Sequence, residues 1–194
     1  GSESGGPPPG VFPTGSGSNE PCPDPPVVQN FNLTRYLGRW YEVERIFNPF
    51  QFGDCVTADY TLRGNGTVEV INSNGLNGTL DTIEGTAIPS NGTEGILSVS
   101  FPMNGGYSDP SAGGQNYNIL LTDYDNYAMV YTCATFQIPG APVETKIEFG
   151  WILSRTPAMS AGNLKLIKNH LDSVNIDNSK FVPTNQEGCA RRPI

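Results

Sequence analysis

Few residues in this chain could carry covalent chemistry, and four of them are cysteines. Cys22, Cys55, Cys133 and Cys189 are widely separated and form no C-x-x-C pair, so neither a zinc ribbon nor a thioredoxin-like motif is present. An even number of cysteines at long spacing predicts two disulfides, but counting alone leaves three connectivities open. Paired cysteines are typical of oxidising compartments, which favours a secreted, extracellular protein.

Four N-x-T triplets indicate the same compartment. They begin at Asn32, Asn65, Asn77 and Asn91, and each is a candidate N-glycosylation site, although Asn-Gly-Thr is also typical of a turn. The chain begins without a basic segment followed by an apolar one, so we expect that any signal peptide has been removed. Triplets and cysteines together predict a secreted glycoprotein.

Groups for acid–base catalysis are scarce. His170, the single histidine, falls in a helical pattern and is predicted to be a surface residue. The sequence therefore has no other histidine that could form a histidine-dependent catalytic triad or a histidine metal site. Asp123 and Asp125 form a carboxylate pair, but they lie in a turn-forming segment, where Asp123 is expected to bind backbone N–H groups. We therefore predict no catalytic residue, no metal site and no enzymatic activity.

The length, composition and charge of the chain indicate what kind of fold positions these residues. The chain has 194 residues, which suits one domain, and 23 glycines with 17 prolines indicate many turns. A net charge of −8 with only 11 lysines and arginines lacks the basic surface that nucleic acid requires. No apolar run approaches the roughly 18 residues of a membrane-spanning helix.

The chain divides at its first cysteine. Residues 1–21 are rich in glycine, serine and proline, and only Val11 and Phe12 could contribute to a core, so this segment is predicted to be a disordered leader. Residues 22–194 are predicted to form the folded domain.

Alternating apolar residues between turn signals predict eight strands followed by one helix. The helix covers 158–174, with Leu164, Ile167 and Leu171 at helical spacing and Ser160 as a candidate N-cap. No helix separates successive strands, which favours an all-β, eight-stranded antiparallel up-and-down barrel with the helix packed outside. The predicted strands are 39–46, 56–62, 67–71, 80–88, 95–101, 117–121, 127–134 and 147–153.

Three short motifs lie at the start of the first strand, between the sixth and seventh, and just after the eighth. They contain Gly38 with Trp40, then Thr122, Asp123 and Tyr124, then Arg155. In order and position they resemble the three signature regions of the lipocalins. The segments NFNLTRYLGRWYEVERI, TDYDNYAMVYTC and FGWILSRTP are similar to the subgroup of apolipoprotein D, Lazarillo, the bilin-binding proteins and the crustacyanin subunits.

The resemblance has structural implications. It implies a barrel with one end closed by Trp40 stacked under Arg155, and an open end that leads into a calyx. It also implies the disulfides Cys22–Cys133 and Cys55–Cys189, which tie both termini to the barrel wall. Each closes a loop of roughly a hundred residues, for which the chain-entropy model gives about 4–5 kcal/mol.

Strand alternation assigns the inner wall, since residues i and i+2 share a face. With Tyr60 inward, Val56 and Ala58 join it, and the sets on later strands include Ala87, Leu97, Ala128 and Leu153. For each residue, ordinary core packing and ligand contact remain alternatives; Tyr60, Asn72, Tyr117 and Trp151 match ligand positions of the resembled family. Among Glu42, Glu44 and Arg45, the sequence does not decide which side chain points inward. The candidate ligand-binding residues are Tyr60, Val68, Val70, Asn72, Ile83, Val99, Phe101, Tyr117, Ile119, Val130, Phe149 and Trp151.

The expected function is that of a carrier that binds one small hydrophobic ligand non-covalently. A biliverdin-type bilin or a carotenoid is the ligand class ranked first. The alternatives are a carrier of fatty acid or steroid, and a glycosylated interaction protein without a transport role, whose interior would be filled by side chains. A third hypothesis, peroxide reduction through an exposed methionine, has Met103 and Met129 as candidates. Self-association into a homo-oligomer is left open.

Overall fold

The structure is a computed structural model that describes residues 17–18, 20–47, 53–76, 78–101, 116–137 and 139–194. Most of the predicted leader, with Val11 and Phe12, lies outside the described residues, as do Asn77 and Met103. Within the leader, strand β1 (Gly17–Ser18) pairs with Ile147 and Lys146.

Eight longer strands follow in chain order, and each pairs antiparallel with the next. The last of them also pairs with the first, from Tyr41 opposite Ser154 to Arg45 opposite Trp151, which closes the sheet into a barrel. The predicted eight-stranded up-and-down barrel is confirmed. The strands are β2 (Gly38–Ile46), β3 (Asp54–Leu62), β4 (Val68–Leu76), β5 (Thr79–Pro89), β6 (Ile96–Ser100), β7 (Tyr117–Thr122), β8 (Tyr127–Gln137) and β9 (Glu144–Ser154).

Several strands differ in extent from the prediction, and two features of these strands have a clear physical reason. Strand β4 continues five residues beyond the predicted end at Ile71, because its polar continuation is paired on both sides by β3 and β5. Strand β5 runs without interruption through Gly85, although a glycine inside a strand often marks a bulge. A Cβ at Gly85 would lie 2.5 Å from the Phe101 ring, so the glycine makes room for that side chain.

The helices lie outside the strands. Helix α1 (Leu33–Tyr36), which the sequence pattern did not reveal, has Asn32 as its N-cap. Helix α2 (Ala161–Ser173) has Ser160 as its N-cap, whose side chain accepts a hydrogen bond from the Asn163 N–H. A 3₁₀ turn (Asn178–Lys180) leads into the short strand β10 (Phe181–Pro183). No described helix is long and apolar enough to cross a membrane.

Apolar side chains form two clusters, one inside the barrel and one outside. The outer cluster packs Ile167 and Leu171 of α2 against Met129, Tyr131 and Ile152, which face outward from β8 and β9. Burial of this helical stripe holds α2 against the wall, as its spacing predicts. The interior cluster contains Tyr36, Trp40, Tyr60, Val68, Val70, Ala87, Leu97, Tyr117, Ile119, Ala128, Val130 and Leu153.

Two expectations about exposure are corrected. Met129 is fully buried in the outer cluster, so it is not the exposed methionine that peroxide reduction requires. His170 lies on α2 as predicted, but it is half-buried, and its Nε2 atom is enclosed with no hydrogen-bond partner in the described part of the chain. Met129 lies between the inward-facing Ala128 and Val130, so it points outward, where α2 covers it.

Both disulfides implied by the resemblance are present. Cys22 is bonded to Cys133 on the outer face of β8, and Cys55 at the start of β3 is bonded to Cys189 near the C-terminus. Their sequence separations are 111 and 134 residues. The described cysteines include no free thiol.

Candidate functional site

One end of the barrel is closed by Arg155, which follows β9. Its guanidinium lies 3.7 Å from the centroid of the Trp40 ring, a cation–π contact. The same group donates hydrogen bonds to four backbone carbonyls, those of Arg35, Tyr36, Arg39 and Tyr124. Arg155 therefore ties α1, the start of β2 and the turn before β8 into one floor.

Gly38 allows the guanidinium to reach this position. Its backbone is left-handed, with φ of +100°, and a Cβ there would lie 3.4 Å from Nη1 of Arg155. Glycine adopts such a conformation at no steric cost. The indole Nε1 of Trp40 donates to the Tyr36 carbonyl at 2.9 Å, which fixes the ring beneath α1.

The turn between β7 and β8 completes the floor. Asp123 accepts hydrogen bonds from the backbone N–H groups of Asn126 and Tyr127 at 2.8 and 2.9 Å. Burial alone would raise the pKa of Asp123, but these bonds and one from the Asn126 side chain hold it below its usual value. Thr122 accepts from the N–H of Tyr124, whose φ is +68°. The carboxylate thus organises a turn rather than a catalytic dyad.

Three tyrosine hydroxyls meet above this floor, inside the barrel. Tyr60 donates to the hydroxyl of Tyr117 at 3.0 Å, and the hydroxyls of Tyr36 and Tyr117 lie 2.6 Å apart. The three side chains carry three hydroxyl protons, and two hydrogen bonds use two of them. One proton remains for an acceptor, on Tyr117 or Tyr36 according to the direction of the second bond.

Burial keeps these hydroxyls neutral. Loss of solvation raises the pKa of Tyr60 to about 12, and it raises the pKa values of Tyr36 and Tyr117 well above 10. The cluster therefore donates and accepts hydrogen bonds across the physiological range of pH.

The tyrosines also predict an alkaline loss of stability. A folded-state pKa above the unfolded value means that the unfolded chain releases its proton first, so stability is complete below about pH 10 and falls as pH rises toward 12. Each such tyrosine contributes about 1.4 kcal/mol per pH unit in that window. We expect Tyr60→Phe to reduce the slope by that amount, measured as urea unfolding at pH 9, 10 and 11. If the free energies of unfolding of variant and wild type fell in parallel above pH 10, the buried hydroxyl of Tyr60 would not be the cause. Below pH 10 the two free energies are expected to differ only by a constant amount.

Strand register defines the wall above the tyrosines, because directly opposed residues share a face. Tyr60 is opposite Val70, and Ala58 is opposite Asn72, which is itself opposite Ile83. The backbone therefore places all twelve candidate residues on the inner face; that they contact a ligand stays a prediction. Six are buried in the interior cluster, namely Tyr60, Val68, Val70, Tyr117, Ile119 and Val130.

Five of the other six candidates border accessible space. Asn72, Ile83, Val99, Phe101 and Trp151 face inward yet remain partly exposed, so this part of the inner wall is accessible to solvent. Phe149 is buried and stacks on Trp151, with the two ring centroids 6.4 Å apart. The accessible part of the wall is thus mostly apolar and aromatic, with the Asn72 amide as a polar group.

A β-bulge in β2 decides which charges face inward. Glu42 is opposite Leu153, Arg45 is opposite Trp151, and Val43 is the extra residue between the two registers. Since Leu153 and Trp151 belong to the interior, Glu42 and Arg45 face inward. Their side chains form an ion pair at 2.8 Å, 2% and 15% exposed. Glu44 instead faces α2, where it pairs with Lys168 at 2.7 Å.

The C-terminal segment is part of the wall. Strand β2 pairs with β3 only from Gly38 to Tyr41, and beyond that point β10 takes the place of β3. The side chain of Gln186 joins the diverging strands, since its Nε2 donates to the carbonyls of Glu42 and Val56. The Thr184 hydroxyl donates to the Glu42 carboxylate at 2.6 Å. Sequence reasoning missed this contribution, because three strand residues and an irregular tail carry no alternation signal.

The described residues also limit other chemistry. They contain no group of three or more histidine, cysteine, aspartate or glutamate residues placed to hold a metal ion. Of the glycosylation candidates, Asn32, Asn65 and Asn91 are exposed, in keeping with surface attachment. In Asn32 and Asn65 the side-chain oxygen accepts a hydrogen bond from a nearby backbone N–H.

A closed antiparallel barrel with a sealed floor and a partly open apolar interior defines a class of small-molecule-binding barrels. The chain belongs to the lipocalin family: the family described as a lipocalin-like domain matches residues 31–186. It is 39% identical to apolipoprotein D of Mus musculus over 185 residues, covering 93% of this chain and 92% of that protein. It is 36% identical to the Lazarillo protein of Schistocerca americana over 177 residues, covering 87% and 77%.

Solved structures agree on the fold. Insecticyanin from the tobacco hornworm Manduca sexta has a TM-score of 0.72 at 24% identity, with 88% of each chain covered. Lobster apocrustacyanin A1 has a TM-score of 0.64 at 26% identity, with 81% of each chain covered. The resemblance drawn from the signature motifs is thereby confirmed.

Proposed function

We propose that this protein is a secreted carrier that binds one small hydrophobic ligand in the barrel interior, and that a bilin or carotenoid pigment is the preferred ligand. Family membership supports binding rather than catalysis. The preference for a pigment rests on the motif resemblance to the bilin-binding proteins and the crustacyanin subunits, and on the structural similarity to lobster apocrustacyanin A1 at 26% identity.

One observation carries the proposal: the inward-facing side chains of Asn72, Val99, Phe101 and Trp151 keep solvent-accessible surface. An apolar pocket with a few polar groups binds by removing apolar surface from water, at about 25 cal/mol per Å². The spare proton of the tyrosine cluster offers a hydrogen bond to a carbonyl or hydroxyl at the buried end of the ligand.

Two disulfides, exposed Asn-x-Thr triplets and the similarity to apolipoprotein D support secretion and glycosylation. The domain is proposed to comprise 22–194, with 1–21 as a leader whose residues Gly17 and Ser18 pair with the edge of β9. Fatty acid or steroid is the second ligand class, favoured by the 39% identity to apolipoprotein D.

The direct test is the absorption spectrum of the protein purified from its natural source, followed by mass spectrometry of the extracted ligand. A visible band with a tetrapyrrole or carotenoid mass supports the pigment. A colourless protein with extractable lipid supports the fatty acid or steroid alternative. A protein that carries neither and takes up neither in titration overturns the carrier function.

Trp151 provides the matched mutational test. We expect Trp151→Ala to weaken ligand binding at least about tenfold, because a partly exposed indole of the wall is the kind of group that burial of a ligand uses. The control is Leu166→Ala, which removes a 44% exposed side chain from α2 outside the barrel. Equal affinity of Trp151→Ala and wild type, measured by titration, would remove Trp151 from the site.

A further inference from the structure

The inner wall holds an ion pair whose arginine is only partly used. Arg45 donates one hydrogen bond to Glu42 at 2.8 Å and one to the Gly53 carbonyl at 3.4 Å. A guanidinium has five N–H donors, so three remain without a partner among the described residues. The Nε atom of Arg45, which makes no hydrogen bond to a described residue, is not among the enclosed polar atoms that lack a partner, so it borders accessible space and can donate to an incoming acceptor.

The surroundings hold the guanidinium in place. Glu42 is itself fixed by the Thr184 hydroxyl at 2.6 Å, and the bulge at Val43 sets the backbone angle at which Arg45 leaves β2. Arg45 lies opposite Trp151, so the unused donors and the accessible indole belong to the same face of the barrel.

From this geometry we propose that Arg45 is an acid-recognition residue of the calyx, which binds a carboxylate of the ligand while Trp151 and Phe101 bind its apolar body. The planar fork of arginine suits a carboxylate better than a neutral carbonyl. The inference rests on the proposed carrier function and narrows it: within pigments it favours a bilin with acidic side chains over a neutral carotenoid, and within lipids a fatty acid over a steroid.

Glu42 limits the strength of the site. Its carboxylate already neutralises Arg45, so an incoming acid shares the guanidinium with a like charge nearby. Glu42→Gln keeps an acceptor for Arg45 and Thr184 but removes the negative charge. This substitution is therefore expected to strengthen binding of an acid at least about fivefold relative to its neutral ester.

The experiment compares acids with their esters. Fluorescence titrations use two pairs of probes, cis-parinaric acid with its methyl ester, and biliverdin with its dimethyl ester. Wild type is expected to bind at least one acid about tenfold or more tightly than its ester. Arg45→Met should abolish that preference while ester binding persists, and Arg45→Lys should restore part of it. Arg63→Met is the control, since Arg63 lies outside the barrel beside Thr86 and Glu84.

Each outcome decides a different point. Equal affinity for acid and ester in wild type, or an unchanged preference in Arg45→Met, overturns the role of Arg45 but leaves the carrier function standing. Absence of binding for all four probes overturns the role of Arg45, and the spectrum and mass of the extracted natural ligand then decide the carrier function. If Arg45→Met fails to fold because Glu42 loses its partner, Glu42→Gln decides alone: stronger acid binding relative to the ester supports the proposal, and unchanged or weaker relative binding overturns it. If only the cis-parinaric pair of probes shows the preference for the acid, the carboxylate belongs to a fatty acid. If only the biliverdin pair shows it, the carboxylate belongs to a bilin.

Discussion

Replacement of Trp40 by alanine is expected to lower the free energy of unfolding by about 3–5 kcal/mol, the usual cost of removing a large aromatic side chain from a core. Trp40 is completely buried, and its removal leaves a cavity under α1 at the closed end. The loss also takes away the hydrogen bond to the Tyr36 carbonyl and the ring beneath Arg155. Since domains are stable by only about 5–15 kcal/mol, this change removes a large part of the total.

Urea unfolding followed by circular dichroism measures the effect. Trp40→Phe is the matched control, because it keeps a ring for Arg155 and loses the indole N–H, and we expect it to cost about 1–2 kcal/mol. The chain has only two tryptophans, so Trp151→Ala gives the complementary case. That side chain is partly exposed, and its removal should affect ligand binding more than stability. If Trp40→Ala and Trp151→Ala were equally stable, the closed end would not depend on Trp40.

The comparison of these two tryptophans shows what sequence could predict. Alternation placed Trp151 on the inner face, whereas Trp40 was assigned to the closed end by the family resemblance. Alternation could not tell that one is sealed and the other accessible, since that difference depends on α1 and Arg155 closing one end. Only the signature motifs, read as a family resemblance, supplied it.

The inward charges show where period two fails. Unbroken alternation starting at the inward-facing Trp40 would place Glu42 and Glu44 inside the barrel and Arg45 outside. The bulge at Val43 instead directs Glu44 outward, where it pairs with Lys168, and turns Arg45 inward. A bulge adds a residue to one strand, and whether it forms depends on the partner strand β9. The sequence of β2 alone therefore cannot reveal it.

Contacts between residues that are distant in the sequence are the second feature that local patterns could not predict. Tyr36 belongs to a helix of four residues that has no apolar periodicity, yet its hydroxyl meets Tyr117 from a strand 81 residues later. Thr184 likewise reaches Glu42 across 142 residues. Such contacts form because the barrel closes, and nothing in the sequence of either segment indicates that the two will meet.

The second large effect is expected at the disulfide between Cys55 and Cys189. Replacing both cysteines by serine opens a loop with a sequence separation of 134 residues, and the chain-entropy model gives a loss of about 5 kcal/mol. The double replacement Cys22→Ser and Cys133→Ser, with a separation of 111 residues, should cost nearly the same by that reasoning. Urea unfolding of the two double variants measures both losses.

Ligand release should separate the two variants. Cys189 holds the segment that fills the gap between β2 and β3, where Gln186 bridges both strands and Thr184 holds Glu42. Loss of the Cys55–Cys189 bond lets this part of the wall open, so the dissociation rate of a bound ligand should rise at least about tenfold. Loss of the Cys22–Cys133 bond frees a segment on the outer face and should leave the rate nearly unchanged. Equal rates in both variants would mean that the C-terminal segment closes no part of the calyx, and stopped-flow displacement of the ligand decides between the two results.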